Sequence, residues 1–296
     1  LTATSAEDGS FSFENIPYGT WYVREIEQPA GFVLDDTIYP VTIGADGQVV
    51  EIEIVNRYVR GNIHLTKVDS EYPDNKLTGA TFEVYKDSNA TGNLDDGDEL
   101  LGTLTEKEKG EYSMNDLFYG RYFVKETKAP EGFVLDTGVY EVMIDTNGKT
   151  YEVENKAGVG FVNDAMRGNL KIIKTSSDGK VKGFAFRITG ANGYDIILET
   201  NDKGEIFIDG LRIGDYTISE VSNSASSMYV LPADKKATVK LGSTTIVEMH
   251  NVLRDTPKTG DTTNLPLLYA LAGLSAVGIA VCGVIGFKKK KKEDRN

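Results

Sequence analysis

Three kinds of polar side chain in this sequence fall where an apolar one would be expected. Ile63-His64-Leu65-Thr66-Lys67 puts Lys67 on the same face of a strand as Ile63 and Leu65, and Leu170-Lys171-Ile172-Ile173-Lys174 puts Lys174 with Leu170 and Ile172. By the same alternation Glu25 shares a face with Trp21 and Val23, Glu126 with Tyr122 and Val124, and Glu220 with Tyr216 and Ile218. Asparagine does likewise: Asn56 falls with Ile52 and Ile54, Asn163 with Phe161, and Asn251 with Val247 and Met249. An isolated ammonium or carboxylate inside a core is costly, so a lysine, a glutamate and an asparagine turned inward together should meet and neutralise one another. Burial lowers a lysine pKa and raises a glutamate pKa, so both groups can be uncharged at neutral pH. Two outcomes are open from the residues alone: a buried hydrogen-bonded trio, or a reactive one.

The elements that must hold these residues are strands. A glycine turn followed by a short alternating strand occurs three times, as Gly19-Thr-Trp-Tyr-Val-Arg-Glu25, Gly120-Arg-Tyr-Phe-Val-Lys-Glu126 and Gly214-Asp-Tyr-Thr-Ile-Ser-Glu220. Short strands broken by turn residues at regular intervals predict antiparallel sandwiches, repeated along the chain. Residues 61–167 read as one complete unit and residues 168–253 as a shorter one, each opening on an Arg-Gly-Asn triplet. Residues 1–60 read as a partial unit with strands at Leu1–Thr4, Ser10–Phe13, Trp21–Glu25, Tyr39–Ile43 and Val49–Asn56. It matches the second unit at a constant offset from Gly9/Gly110 to Gly47/Gly148, which places the counterpart of Lys67 before residue 1. Its first strands are expected to be missing, leaving Glu25 and Asn56 without a lysine.

Composition excludes several functions. The net charge of −13 argues against nucleic-acid binding. A single cysteine, Cys282, rules out an internal disulfide, and the sequence has no zinc motif, phosphate loop or nucleophile elbow, so enzymatic turnover is not expected. His64 and His250 fall at outward-facing strand positions. Residues 254–296 differ in kind. Thr256-Pro257-Lys258-Thr259-Gly260 precedes an uncharged apolar run from Leu265 to Phe287, long enough for a single transmembrane helix, and then the basic tail 288–296, which holds the end at the cytoplasmic face. No cofactor is required by any of this. Calcium is the one candidate: Asp87, Asn89, Thr91, Asp95 and Asp98 place oxygens near the spacing of a calcium loop, with Gly92 at the turn, and a solvated acidic hairpin is the alternative.

The run Tyr122-Phe-Val-Lys-Glu126-Thr-Lys-Ala-Pro-Glu-Gly-Phe133 resembles the E-box of Gram-positive pilins and of collagen-adhesin B-type, prealbumin-like domains. Glu25-Ile-Glu-Gln-Pro-Ala-Gly-Phe32 keeps most of it, whereas Ser222-Asn-Ser224 replaces part of it in the third unit. The resemblance implies an all-β chain of tandem prealbumin- or immunoglobulin-like sandwiches. It also implies covalent Lys–Asn isopeptide bonds, here Lys67–Asn163 and Lys174–Asn251, with Glu126 and Glu220 as assisting acids. A second resemblance is to the Leu-Pro-x-Thr-Gly sorting signal of wall-anchored proteins, with Thr256 in place of leucine. It implies cleavage between Thr259 and Gly260 by a sortase after the Pro257 motif is recognised, with transfer to peptidoglycan. The membrane is then engaged only before sorting, through 265–287, and the mature protein is extracellular; a permanent single-pass anchor is the other reading of that run. Together these suggest the stalk of a cell-surface protein presenting an adhesive region upstream, toward a host or extracellular ligand. A basal or tip pilin, or a tethered enzyme with its catalytic domain upstream, are the alternatives. Tyr72-Pro-Asp-Asn75 resembles a shaft-pilin polymerisation motif but has Asp74 in place of its lysine.

Overall fold

The structure, a computed structural model, describes residues 1–255. The sorting motif, the apolar run and the basic tail lie outside them. Among the described residues no helix is long and apolar enough to cross a membrane. The chain is all-β.

The first unit carries β1 (Gly19–Val23), β2 (Phe32–Val33), β3 (Tyr39–Ile43) and β4 (Arg57–Tyr58). The second has β5 (Arg60–Asp69), β6 (Thr81–Lys86), β7 (Glu99–Thr103), β8 (Thr105–Glu108), β9 (Glu111–Phe118), β10 (Gly120–Lys128), β11 (Val139–Ile144), β12 (Thr150–Glu152) and β13 (Phe161–Asn163). The third has β14 (Arg167–Ser176), β15 (Ala185–Thr189), β16 (Asp195–Glu199), β17 (Glu205–Arg212), β18 (Gly214–Val221), β19 (Tyr229–Val230), β20 (Lys235–Val239) and β21 (Thr244–Leu253).

The second and third units are two-sheet sandwiches. In the second, the sheet β11-β10-β6-β7 faces the sheet β12-β5-β9-β8, with β13 also paired to β5. In the third, β16-β15-β18-β20 faces β17-β14-β21-β19. Each sandwich has its own core. Ile63, Leu65, Phe82, Val84, Tyr122, Val124 and Phe161 are buried in one, and Leu170, Ile172, Phe184, Phe186, Ile218 and Met249 in the other. In both, the first strand pairs in parallel with the last: β5 with β13 over Lys67–Asp69, and β14 with β21 over Asn169–Ser176.

The first unit shows what that first strand does. Strand β1 pairs β3 in the register that β10 keeps with β11, Gly19 opposite Ile43 and Gly120 opposite Ile144. The expected strands at Leu1–Thr4, Ser10–Phe13 and Val49–Asn56 do not form. In the second unit the counterparts of Ser10–Phe13 and Val49–Asn56 lie on β9, β12 and β13, and all three strands pair with β5. Residues 1–58 contain no counterpart of β5, so those segments have no ladder to join. A strand's apolar alternation does not order it without a partner for its backbone. The core face stays open as a result: Trp21 is 40 % exposed where its counterpart Tyr122 is 1 % exposed.

One glycine in each hairpin seats the lysine strand. The carbonyls of Gly110 and Gly204 accept the Lys67 and Lys174 backbone N–H groups, both at 2.7 Å. Both glycines have positive φ, and a Cβ at Gly204 would lie 2.7 Å from the Lys174 carbonyl oxygen. The counterpart Gly9 shares the backbone conformation but has no neighbour within 4 Å. Gly204→Ala should therefore lower the stability of the third unit by at least about 2 kcal/mol in urea unfolding, combining left-handed strain and overlap with backbone, whereas Gly9→Ala should cost about 1 kcal/mol, from strain alone.

Candidate functional site

Strand β5 ends inside the second sandwich with Lys67 turned into the core, and its side chain is fully buried. The Lys67 Nζ donates to the Phe161 carbonyl at 3.0 Å and stands 5.6 Å from the centre of the Phe161 ring. Phe161 packs edge-on against Phe82, with ring centres 4.9 Å apart. Glu126 arrives from β10 on the opposite sheet, and Asn163 from β13 beside β5; both are buried. The Asn163 Nδ2 donates to Glu126 Oε2 at 2.7 Å and to the Val134 carbonyl at 2.6 Å.

The third unit repeats this arrangement on different sequence. Lys174 is buried, donates to the Thr175 carbonyl and sits over the Phe184 ring, with Tyr229 behind it. The Asn251 Nδ2 donates to Glu220 at 2.7 Å. The first unit keeps the acid and the amide: Asn56 Nδ2 donates to Glu25 Oε1 at 2.6 Å, and the Asp35 backbone N–H donates to Glu25 Oε2 at 2.8 Å. No lysine of the first unit joins them among the described residues.

Burial dominates the proton equilibria. It lowers the Lys67 pKa to about 8, against the opposing charges of Glu126, Asp136 and Asp69, and it lowers Lys174 as well. Burial raises both Glu126 and Glu220 above the ordinary carboxylate range. Four of the buried side-chain oxygens without a hydrogen-bond partner are the same two atoms in each unit. They are the asparagine carbonyls, Asn163 Oδ1 and Asn251 Oδ1, and the second glutamate oxygens, Glu126 Oε1 and Glu220 Oε2. An orphaned carboxylate oxygen inside a core is expensive, and a proton on that oxygen would supply the donor the neighbouring amide carbonyl lacks. The arrangement thus combines an amine that readily becomes neutral, an acid that tends to hold its proton, and a carboxamide between them.

Two groups of this site were not singled out from sequence. Asp136 accepts from Asn155 Nδ2 at 2.7 Å and from the Tyr140 hydroxyl at 2.9 Å, and its backbone N–H donates to Glu126 Oε2 at 2.8 Å. Asp35 takes the corresponding hydroxyl from Tyr39 at 2.5 Å. The repeated run Gly-Phe-Val-Leu-Asp, at 31–35 and 132–136, carried that signal. The other is Asp69, taken up below.

The acidic loop 87–98 is closed on itself. Gly92 N–H donates to Asp87, Asn89 Nδ2 and Gly97 N–H donate to Asp95 Oδ1, and Thr91 Oγ1 donates to Asp95 Oδ2. Asp98 accepts from the Ser88 and Asp95 amides. Among the described residues no group of three or more His, Cys, Asp or Glu side chains is placed to hold a metal ion. Asp87 faces Arg121 through Oδ2 at 3.5 Å and keeps Oδ1 buried without a hydrogen-bond partner. Pro257, Thr259 and Gly260 lie outside the described residues.

Fold and site together define a class: tandem β-sandwiches, each closed by a parallel pair of terminal strands over a buried lysine, glutamate and asparagine. A family profile described as a SpaA prealbumin-like fold domain matches residues 1–58, 61–157 and 168–252, and the chain belongs to that family. The trypsin-resistant surface T6 protein of Streptococcus pyogenes serotype M6 is 28 % identical over 184 residues, covering 61 % of this chain and 30 % of that protein. The solved structure of the Bacillus anthracis TIE protein superposes with a TM-score of 0.63 at 26 % identity, covering 84 % of this chain and 44 % of that one. Colossin-A of Dictyostelium discoideum is 22 % identical over 249 residues, covering 74 % of this chain and 2 % of that protein. The chain spans less than half the length of each of these proteins.

The lowered lysine pKa carries a sign for stability. Between the folded value of about 8 and the ordinary 10.5, the unfolded chain binds more protons than the folded one, so stability rises with pH across that window. In an Asn163→Ala variant, which keeps Lys67 and Glu126 as free groups, the unfolding free energy of the second unit should rise by about 3 kcal/mol from pH 8 to pH 10.5 relative to a Lys67→Met control. Parallel pH profiles for the two variants would mean that water reaches the amine.

Proposed function

We propose that this chain is the stalk of a sortase-anchored Gram-positive surface protein, made inextensible by one Lys–Asn isopeptide bond in each of its second and third units. The observation that supports it best is the repeated burial of a lysine, an acid and an asparagine with the asparagine carbonyl and one glutamate oxygen unpartnered. In this reading the neutral Lys67 amine attacks Cγ of Asn163 while the protonated Glu126 donates to Oδ1 and polarises the carbon. The Lys67 nitrogen passes one of its two protons through Glu126 to the departing Nδ2, which leaves as ammonia, and keeps the other in the new amide. A new amide replaces the old one and the glutamate ends protonated as it began. Lys174, Glu220 and Asn251 do the same in the third unit. Each event occurs once per molecule, as maturation without turnover.

The mechanical role follows from where the bonds fall. The first and last strands of each unit run parallel, and only residues 164–166 separate β13 from β14. A pull on the chain enters β5, crosses the Lys67–Asn163 bond into β13, and continues through β14 and the Lys174–Asn251 bond into β21. The rest of each sandwich lies outside this covalent path and cannot be drawn out. Closing a loop of roughly a hundred residues is worth about 4–5 kcal/mol on the chain-entropy model used for disulfides.

At the C-terminus, the motif around Pro257, Thr259 and Gly260 with the run 265–287 supports sorting to peptidoglycan, so the mature protein is extracellular and wall-anchored. The surface location named for the T6 relative fits this.

Two experiments test the proposal. The intact 296-residue chain should weigh less than its sequence by two ammonia molecules, and Glu126→Ala should restore one of them; a mass equal to the sequence would reduce both trios to hydrogen-bond clusters. Thr259→Ala should leave the protein in the membrane fraction of a Gram-positive host while wild type is released by muramidase. Wild type that needs detergent for release would make 265–287 a permanent anchor.

A further inference from the structure

Two residues beyond Lys67, β5 ends on a second buried charge. The Asp69 side chain is completely buried, and Asp69 stands in register with Asn163 on the parallel ladder. Its partner belongs to the next unit. Arg212, at the end of β17, meets it in a two-pronged ion pair, Nη1 to Oδ2 at 2.6 Å and Nη2 to Oδ1 at 2.8 Å. Glu71 takes the remaining edge of the guanidinium, through Nε at 3.1 Å and Nη2 at 2.7 Å, and the Tyr72 ring lies 4.9 Å from it. The Ile213 N–H donates to the Met166 carbonyl at 3.0 Å, and Arg167 pairs with Glu71. The Tyr72-Pro-Asp-Asn stretch noted in the sequence is thus part of this junction.

The two neighbouring positions in the repeat act as internal comparisons. In the third unit the residue two beyond the lysine is Ser176, in register with Asn251, and it carries no charge. At the junction between the first and second units the counterpart of Arg212 is Phe118, which packs edge-on against Tyr58 with ring centres 5.4 Å apart. That junction also carries backbone hydrogen bonds, Val59 N–H to the Gly31 carbonyl at 2.8 Å and Tyr119 N–H to the Val59 carbonyl at 3.0 Å, and it has no arginine at this position. At the junction of the second and third units the arginine faces the aspartate two residues beyond Lys67.

We infer that Arg212 is a positioning residue for cross-linking in the unit before its own: by holding the Asp69 charge it frees Lys67 to lose its proton and attack Asn163, so that docking of the third unit licenses the bond in the second. This rests on the isopeptide reading above. An unopposed carboxylate near a buried amine stabilises the ammonium, which is no nucleophile. The direction of the effect agrees with Asp69 being among the charges that raise the Lys67 pKa, and with the Asp69 bond raising that of Arg212. The groups that bear on Lys67 are Glu126 from β10, Asp136 from the segment after it and Asp69 on its own strand; those on Asp69 are Arg212 and, through Arg212, Glu71. The acid–amine–amide trio alone would suffice if Asp69 were absent, as in the third unit. A chain emerging from its N-terminus would on this account fold the second unit first and seal it only when the third has docked.

The test uses the full chain, recovered unfolded and unreacted in urea and refolded by dilution at a series of pH values. Quenched samples are digested, and the cross-linked peptides containing Lys67–Asn163 and Lys174–Asn251 are quantified by mass spectrometry. Arg212→Ala should move the pH of half-maximal Lys67–Asn163 formation upward by about one unit, the effect of one unpaired charge nearby, while the Lys174–Asn251 profile in the same molecules stays put. Arg212→Lys should move it less, and Arg212→Ala combined with Asp69→Asn should return it to the wild-type position. An unchanged profile in Arg212→Ala overturns the inference while leaving the isopeptide reading intact, and so does a double variant that stays shifted, which would make Arg212 a merely structural contact. Wild type that forms neither peptide at any pH removes the isopeptide reading and this inference with it.

Discussion

Burying an ammonium and a carboxylate inside a sandwich is unfavourable unless they end up neutral or paired, and that cost governs the second and third units. Lys67 and Lys174 each come in on the first strand, the glutamates on the facing sheet, and the asparagines on the last strand. The trio can only assemble when both sheets and both terminal strands are in place. Its members also leave oxygens without partners, Asn163 Oδ1 and Glu126 Oε1 among them. A conventional core would fill that space with apolar side chains at lower cost, and the Lys–Asn bond proposed above would remove that cost by consuming the amine and the amide.

The first strand is the organising element, and the first unit demonstrates this by its absence there. Its acid and amide still meet, since Asn56 donates to Glu25 and the Asp35 amide does too. Strands β1 and β3 hold the register of their counterparts. Yet every segment whose counterpart hydrogen-bonds to β5 lies without a ladder. The glutamate sheet is thus locally determined, by hairpin pairing and side-chain alternation, whereas the facing sheet depends on one long strand supplied from a distance in sequence. In the complete units the same strand brings the amine, so the step that closes the core is also the step that completes the buried trio.

Much of this was legible in the sequence, for a reason specific to strands. Alternation fixes the face on which a residue lies, and Lys67, Glu126 and Asn163 all violated the expected polarity of their face. Repetition of the violation at Lys174, Glu220 and Asn251 separated design from accident. Alternation could not show whether a strand has a partner, and so Ser10–Phe13 and Val49–Asn56 read as strands and are not. Nor could it show Asp136, whose backbone N–H reaches Glu126 from a loop. Asp69 continues the alternation of Leu65 and Lys67 and was visible in principle, but it is followed by Ser70 and Glu71 and looks like the polar start of a turn. Arg212 has the appearance of a solvated charge at a strand end, because its partner lies in another unit.

That last point bears on how a row of such units differs from beads on a string. An ordinary linker would leave each sandwich to fold and react by itself. Here only residues 164–166 separate the two units, and Arg212 reaches back to a carboxylate that the second unit has buried two residues from Lys67 on the same strand. Asp69 without Arg212 would be a buried charge with no counter-ion, costing the second unit stability as well as a neutral amine. On the proposed reading one contact has two consequences: the guanidinium ties the two units together and sets the electrostatic surroundings of Lys67. At the corresponding place in the preceding junction Phe118 packs on Tyr58 and presents no charge to the unit before it.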